Sequence, residues 1–253
     1  MDVLDQAKQR IIVALDVDTR DKALALVKNL RDHVGLFKVG LELLSSEGIS
    51  IIREILSLGG SVFLDGKFKD IPNTVGGASR AVTRLGVNMF NVHTMGGLEM
   101  MKAAVKATQD EATRLGIMRP LVLGVTVLTS INKDMMNLQL CIPGEIETQV
   151  VHLAGLAEEA GLDGVIASPQ EAEAITNKVS GRMIIVTPGV RPVWATSGDQ
   201  KRVMTPGEAI IKGSTYLVVG RPITEPPDEI GTSVDAAEKI AEEIATALER
   251  RRD

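Results

Sequence analysis

In the segment FLDGKFKDIPNTV, an amine stands between carboxylates: Asp65, Lys67 and Asp70. Alternate residues of an extended strand share a face, so the spacing predicts that Asp65 and Lys67 project together, with Asp70 in the turn beyond. The cluster follows the apolar run Val62, Phe63, Leu64 and precedes Pro72, which helps to stop a strand. A lysine flanked by carboxylates stays protonated and is poised to donate its proton. A second constellation is VVGRPI, residues 218–223, where Gly220 lets backbone N–H groups approach a ligand and Arg221 offers a fork matched to phosphate oxygens. Gln200, in the long segment before it, can add a neutral amide to the same group. Asp16, Lys38, Asn91, His93, Thr129, Ser130 and Arg191 also fall at or just past the ends of apolar runs. Each has an ordinary alternative: Asp16 as a helix cap, Lys38 reaching for solvent, Thr129 and Ser130 in a turn, Arg191 bracing a loop. His93 reads as a scaffold residue, and no histidine is assigned to chemistry.

Elements that bring these residues together can be read from periodicity. Short apolar runs at Arg10–Val17, Leu36–Gly40, Ser61–Leu64, Asn88–Val92, Leu121–Val127, Asp163–Ala167, Met183–Val186 and Thr215–Val219 predict eight strands. Helical patterns alternate with them at Lys22–His33, Glu42–Leu58, Asn73–Leu85, Gly97–Leu115, Glu145–Ala160, Pro169–Val179, Pro206–Lys212 and Val234–Arg252. Eight βα units without a break in composition predict an α/β fold of the (β/α)8 TIM-barrel type, as a single domain spanning residues 1–253. An open doubly wound sheet is the weaker reading, because no G-x-G-x-x-G fingerprint is present. In such a barrel the site lies at the C-terminal ends of the strands, where the polar residues above cluster, and phosphate commonly binds after the last two strands. The least periodic segment, Arg191–Thr205, has the length of a functional lid.

Composition narrows the partners. A net charge of −5 and only 2% aromatic residues argue against a groove that tracks a nucleic-acid polymer. Apolar runs far shorter than about 20 residues predict no membrane span, and the acidic N-terminus lacks a secretion signal, so a cytoplasmic protein is expected. Cys141 is the sole cysteine, and no His or Cys spacing suggests a zinc site.

The segments IVALDVD, LFKVGLEL, LDGKFKDIPNT, VLTS, TPGVRP, GDQKRV and VVGRPI together resemble the bacterial orotidine 5'-phosphate decarboxylases, in that family's order and over nearly the whole chain. The D-x-K-x-x-D core is shared with phosphosugar decarboxylases and synthases; the IPNT extension and the downstream segments are specific. The resemblance implies a lyase of pyrimidine biosynthesis that converts orotidine 5'-monophosphate to uridine 5'-monophosphate and CO2 without a cofactor or metal. It implies that Lys67, Asp65, Asp70 and Lys38 form the charged catalytic centre. Asp16 and Thr74 would adjoin the ribose, Thr129 and Ser130 the pyrimidine, and Arg191, Gln200, Gly220 and Arg221 the phosphate and its loop. It further implies a homodimer in which the Asp70 loop enters the neighbouring subunit's site. Gly66 departs from the pattern, since the family commonly carries a larger residue such as Leu there. Two alternatives follow: a Mg2+-dependent phosphosugar decarboxylase or synthase on the same barrel, and a catalytically silent nucleotide-binding barrel.

Overall fold

The computed structural model describes residues 2–195 and 204–251. Eight parallel strands close into a barrel in sequential order: β1 (Ile11–Ala14), β2 (Leu36–Val39), β3 (Val62–Phe68), β4 (Met89–His93), β5 (Leu121–Val125), β6 (Gly164–Ile166), β7 (Ile184–Pro188) and β8 (Tyr216–Val219). The closing pair aligns Ile11 with Leu217 and Val13 with Val219.

Helix α1 (Val3–Lys8) precedes the first strand, and the surrounding layer continues with α2 (Arg20–Leu30), α3 (Leu41–Glu47), α4 (Ser50–Ser57), α5 (Pro72–Leu85) and α6 (Leu98–Leu115). It is completed by α7 (Ile146–Glu159), α8 (Ala172–Lys178), α9 (Pro206–Ile211), the single turn α10 (Arg221–Thr224) and α11 (Ser233–Arg250). The helix expected over 42–58 is in fact two, because the backbone turns at Gly48, with φ 67°, a value that a residue with a Cβ rarely adopts.

Alternation along the strands sorts the core into two layers. Ile12, Leu36, Phe63, Met89, Leu123 and Val186 point inward and fill the barrel. Their neighbours, such as Val13, Phe37, Leu64, Phe90 and Val122, point outward beneath the helices. The interior is therefore a packed apolar floor, and a residue two positions further along a strand stands above it at the C-terminal mouth.

Local chemistry sets where the mouth elements begin. Pro72 occupies the first turn of α5, where its missing N–H is harmless, and Gly86 ends that helix in the left-handed conformation. The buried carboxylate of Glu111 on α6 accepts from Arg84 of α5 at 3.0 Å and from Arg114 at 2.7 Å, and these partners hold it down to about 2. Reciprocal capping boxes start α9 at Thr205 with Glu208 and α11 at Thr232 with Asp235. The ends of the long loop after β7 are tied together, since Val190 bridges Met204 and the Arg191 N–H donates to the Met204 carbonyl at 3.0 Å. Gln200 lies outside the described residues. Among those described, no helix is long and apolar enough to cross a membrane.

Candidate active site

Above the apolar floor, four charged side chains alternate in sign across β1, β2 and β3. Lys38, two residues past Leu36 on the inward face of β2, places Nζ 2.9 Å from Asp16 Oδ1 and 3.6 Å from Asp65 Oδ2. Asp65, two residues past Phe63, receives the Lys67 ammonium on Oδ1 at 2.7 Å. Lys38 and Asp65 are each only 8% exposed. Asp16 sits two residues beyond the end of β1, which is shorter than periodicity predicts, and reaches back over the mouth.

Asp65 and Lys67 do meet, but not by pleat alternation. Leu64 pairs with Phe90 and the next pair is Phe68 with Val92, so residues 65–67 of β3 bulge opposite Asn91 alone. Lys67 takes the left-handed φ of 49°, uncommon for a residue with a Cβ. Bulges of this kind re-aim side chains next to active sites. Here the bulge turns Lys67 back toward Asp65.

Asn91 completes the group. It is fully buried on β4, accepts the Lys67 backbone N–H on Oδ1 at 2.7 Å and donates from Nδ2 to Asp65 Oδ1 at 2.7 Å. The sequence marks it only as a polar residue in the run Phe90-Asn91-Val92. Its inward position, two residues past Met89, was the available signal, because a buried amide must find partners. Burial pushes the Asp65 carboxyl up, but the charges of Lys38 and Lys67 and the hydrogen bonds from Lys67 and Asn91 outweigh it and hold Asp65 below the ordinary carboxylate range. Burial, then the charges of Lys69 and Lys67, hold the His93 imidazole below its usual value, which favours the neutral ring.

The mouth divides into two lobes that share Lys38, Asp65, Pro188 and Val218. The larger, about 500 Å3, is lined by Asp16, Arg191, Gly220 and Arg221 among others. The smaller, about 170 Å3, is lined by Lys67, Phe63, Val127, Thr129 and Ile166 among others. The larger lobe thus brings two arginines together with Asp16 and Glu225, and the smaller is largely apolar apart from Lys38, Asp65 and Lys67. Asp70, Thr74 and Ser130 are exposed and line neither lobe, and the Asp70 carboxylate accepts the N–H of Ile71 at 2.6 Å. Thr224 and Glu225, which also line the larger lobe, were not foreseen.

A family model described as orotidine 5'-phosphate decarboxylase / HUMPS family matches residues 9–237. The chain belongs to this family. Among its relatives, the orotidine 5'-phosphate decarboxylase of Heliobacterium modesticaldum is 50% identical over 97% of this chain and 100% of its own length. That of Geobacter sulfurreducens is 48% identical over 95% and 98%. The crystal structure of orotidine 5'-phosphate decarboxylase from Lactobacillus acidophilus superposes with a TM-score of 0.81 at 35% identity, covering 92% of this chain and 98% of that one. Because the family description joins two names, the relatives' own names carry the narrower assignment.

Gly66 lies within the β3 bulge, beside Phe68. A Cβ on Gly66 would lie 2.8 Å from Phe68 Cε1, so the Phe68 ring, whose centroid is 6.0 Å from that of Phe90, occupies the space. Gly66→Ala is therefore expected to destabilise the protein by about 1–3 kcal/mol through overpacking. Adding Phe68→Leu should recover part of the loss. Urea unfolding checks both, and a Gly66→Ala midpoint equal to wild type would show that the ring does not hold this site.

Proposed function

We propose that this chain decarboxylates orotidine 5'-monophosphate to uridine 5'-monophosphate without a cofactor, as a single cytoplasmic catalytic domain that works in a homodimer. The observation that carries the reading is the Lys67 ammonium, hydrogen-bonded to buried Asp65 at the edge of a pocket otherwise largely apolar. The relatives' names supply the substrate.

The two lobes suit the two ends of that substrate. Arg191 and Arg221, with Gly220 between the last strand and α10, suit the phosphate, and the family resemblance adds Gln200 to them. The small lobe, with Val127 and Thr129, suits the flat pyrimidine, and Ser130 follows at its rim. Asp16, in the larger lobe beside the shared Lys38, suits the ribose. When the bond from C6 to the carboxylate breaks, its electron pair remains in an sp2 orbital that the ring π system cannot delocalise, and CO2 departs. Lys67 stabilises that charge electrostatically, then transfers a proton to C6 and is left as a neutral amine that solvent reprotonates. The positive charges of Lys38 and Lys67 keep Asp65 ionised beside the departing carboxylate, where it orients the ammonium. Phosphate contacts remote from C6 can assist through closure of the loop after β7.

A Mg2+-dependent phosphosugar reaction would need Asp65 as a ligand, yet its oxygens already receive Lys67 and Asn91 and face Lys38. The expected result is that purified protein consumes orotidine 5'-monophosphate, followed by its ultraviolet absorbance, and that turnover survives exhaustive chelation. No turnover would favour the silent-barrel alternative, and turnover abolished by chelation the metal-dependent one. Lys67→Ala should fold normally and lose at least about 10^3-fold in kcat, since it removes both countercharge and proton source. Turnover within about tenfold of wild type, only ~1.4 kcal/mol in barrier, would overturn the assignment.

The homodimer accounts for the residues that lie away from the mouth. Asp70, Ile71, Pro72, Asn73 and Thr74 form an exposed stretch, and Ile71 is 66% exposed at its tip. In a two-fold dimer this stretch serves the neighbour's site, with Asp70 next to that subunit's Lys67 and Thr74 near its ribose. Mixing inactive Lys67→Ala and Asp70→Ala proteins with subunit exchange would then give heterodimers with one doubly altered site and one intact site. About a quarter of wild-type activity should return at equilibrium. Verified heterodimers that stay inactive would rule out the shared site.

A further inference from the structure

We infer that Asn91 is the positioning residue of the Asp65–Lys67 pair: its buried amide both sustains the β3 bulge that aims Lys67 and fixes the carboxylate oxygen that Lys67 grips. The inference deepens the decarboxylase reading and rests on it for the chemistry, though not for the geometry.

Three residues of β3 face one of β4 at the bulge, so ladder pairing lapses there and the Lys67 N–H lacks the strand carbonyl it would otherwise find. Asn91 Oδ1 receives that N–H at 2.7 Å. A left-handed lysine is itself unfavourable and persists only where its surroundings hold it. Asn91 supplies that hold from a strand whose own pairing to β5 is regular on both sides, Phe90 with Val122 and Val92 with Gly124. The same amide then donates to Asp65 Oδ1, the atom that also receives the Lys67 ammonium. One planar group thus links the backbone of Lys67 to the partner of its side chain. The other carboxylate oxygen of Asp65 is left to face Lys38.

Neither role can be met by a residue that only fills volume. An aspartate at 91 would keep an acceptor for the N–H but set a second carboxylate against Asp65. An alanine would lose both bonds. Asn91 touches no reacting atom in this scheme and acts through Asp65 and Lys67.

The test is made on the full-length protein with Asn91→Ala, and with the bulkier, uncharged Asn91→Val should the alanine variant not fold. Two measurements are taken. First, the Asp65 carboxyl is titrated by 13C NMR in protein without ligand, assigned by its loss in Asp65→Asn. Removing the amide donor should move this titration to higher pH, because one of the interactions holding the carboxylate ionised is gone. Second, kcat per folded site with orotidine 5'-monophosphate should fall at least ~30-fold while KM stays within about threefold, the signature of lost transition-state alignment. A residue with a purely structural role would lower the folded fraction but leave both the titration and kcat per folded site unchanged, and either of these unmoved in a folded variant overturns the inference. Wild-type protein that fails to consume orotidine 5'-monophosphate would refute the functional reading instead, and the ligand-free titration would still decide whether Asn91 positions the pair.

Discussion

Asp65 is a carboxylate in a place where burial by itself pushes its carboxyl up and disfavours the charge. It stays ionised because two lysines and one amide converge on its two oxygens, and most of the mouth is arranged around that requirement. Burying charge is costly unless it is paired and hydrogen-bonded, and breaking such a group leaves an uncompensated ion. Lys38, Asp65 and Lys67 are therefore one electrostatic unit, with Asp16 as its solvent-facing end. The alternation of sign keeps the lysine charges available without leaving a net excess among these four groups at the barrel mouth.

The barrel supplies the rigidity that the unit needs. Its floor of inward apolar side chains sets the height at which Lys38, Asp65 and Asn91 emerge, each two residues beyond an inward-facing Leu36, Phe63 or Met89. Three adjacent strands thus deliver three polar groups to one level. The bulge in β3 is the exception to regular pairing, and it coincides with the group that bends back upon the network. Phe68, immediately after it, fills the space next to Gly66 and returns the strand to the outer core, so the small residue and the large one form a local exchange of volume.

The division of the mouth into a lobe that carries two arginines and a largely apolar lobe separates binding from chemistry. Arg191 and Arg221 stand at the far wall of the larger lobe, away from Lys67, which lines only the smaller one. Binding energy gathered at the first lobe can be applied to alignment at the second. The pairing of Val190 with Met204 and the bond from the Arg191 N–H to the Met204 carbonyl fix the backbone at Arg191, on the wall of the larger lobe.

Much of this was legible in the sequence, because the signals are local. Alternating apolar runs and helical periods specify eight βα units, and a parallel sheet of eight closes with polar strand ends at one mouth; Asp16, Lys38, Asp65, Lys67, Thr129, Arg191 and Arg221 line it. What periodicity could not carry was deviation from periodicity. The break at Gly48 is a local turn that interrupts an apolar pattern running through it, and the bulge at residues 65–67 depends on pairing with β4, so the meeting of Asp65 and Lys67 was anticipated from a regular pleat that β3 does not have. The sequence marks Asn91 as a polar residue at a strand end but gives it no role, for the same reason: an amide becomes a structural partner only when tertiary packing sets an unpaired N–H and a carboxylate within reach. Asp70 and Thr74 mark the other boundary, because their motif is plain in the sequence while one folded chain leaves them facing outward. Spacing along a chain determines which residues can share a face, but only the closed barrel decides which faces meet.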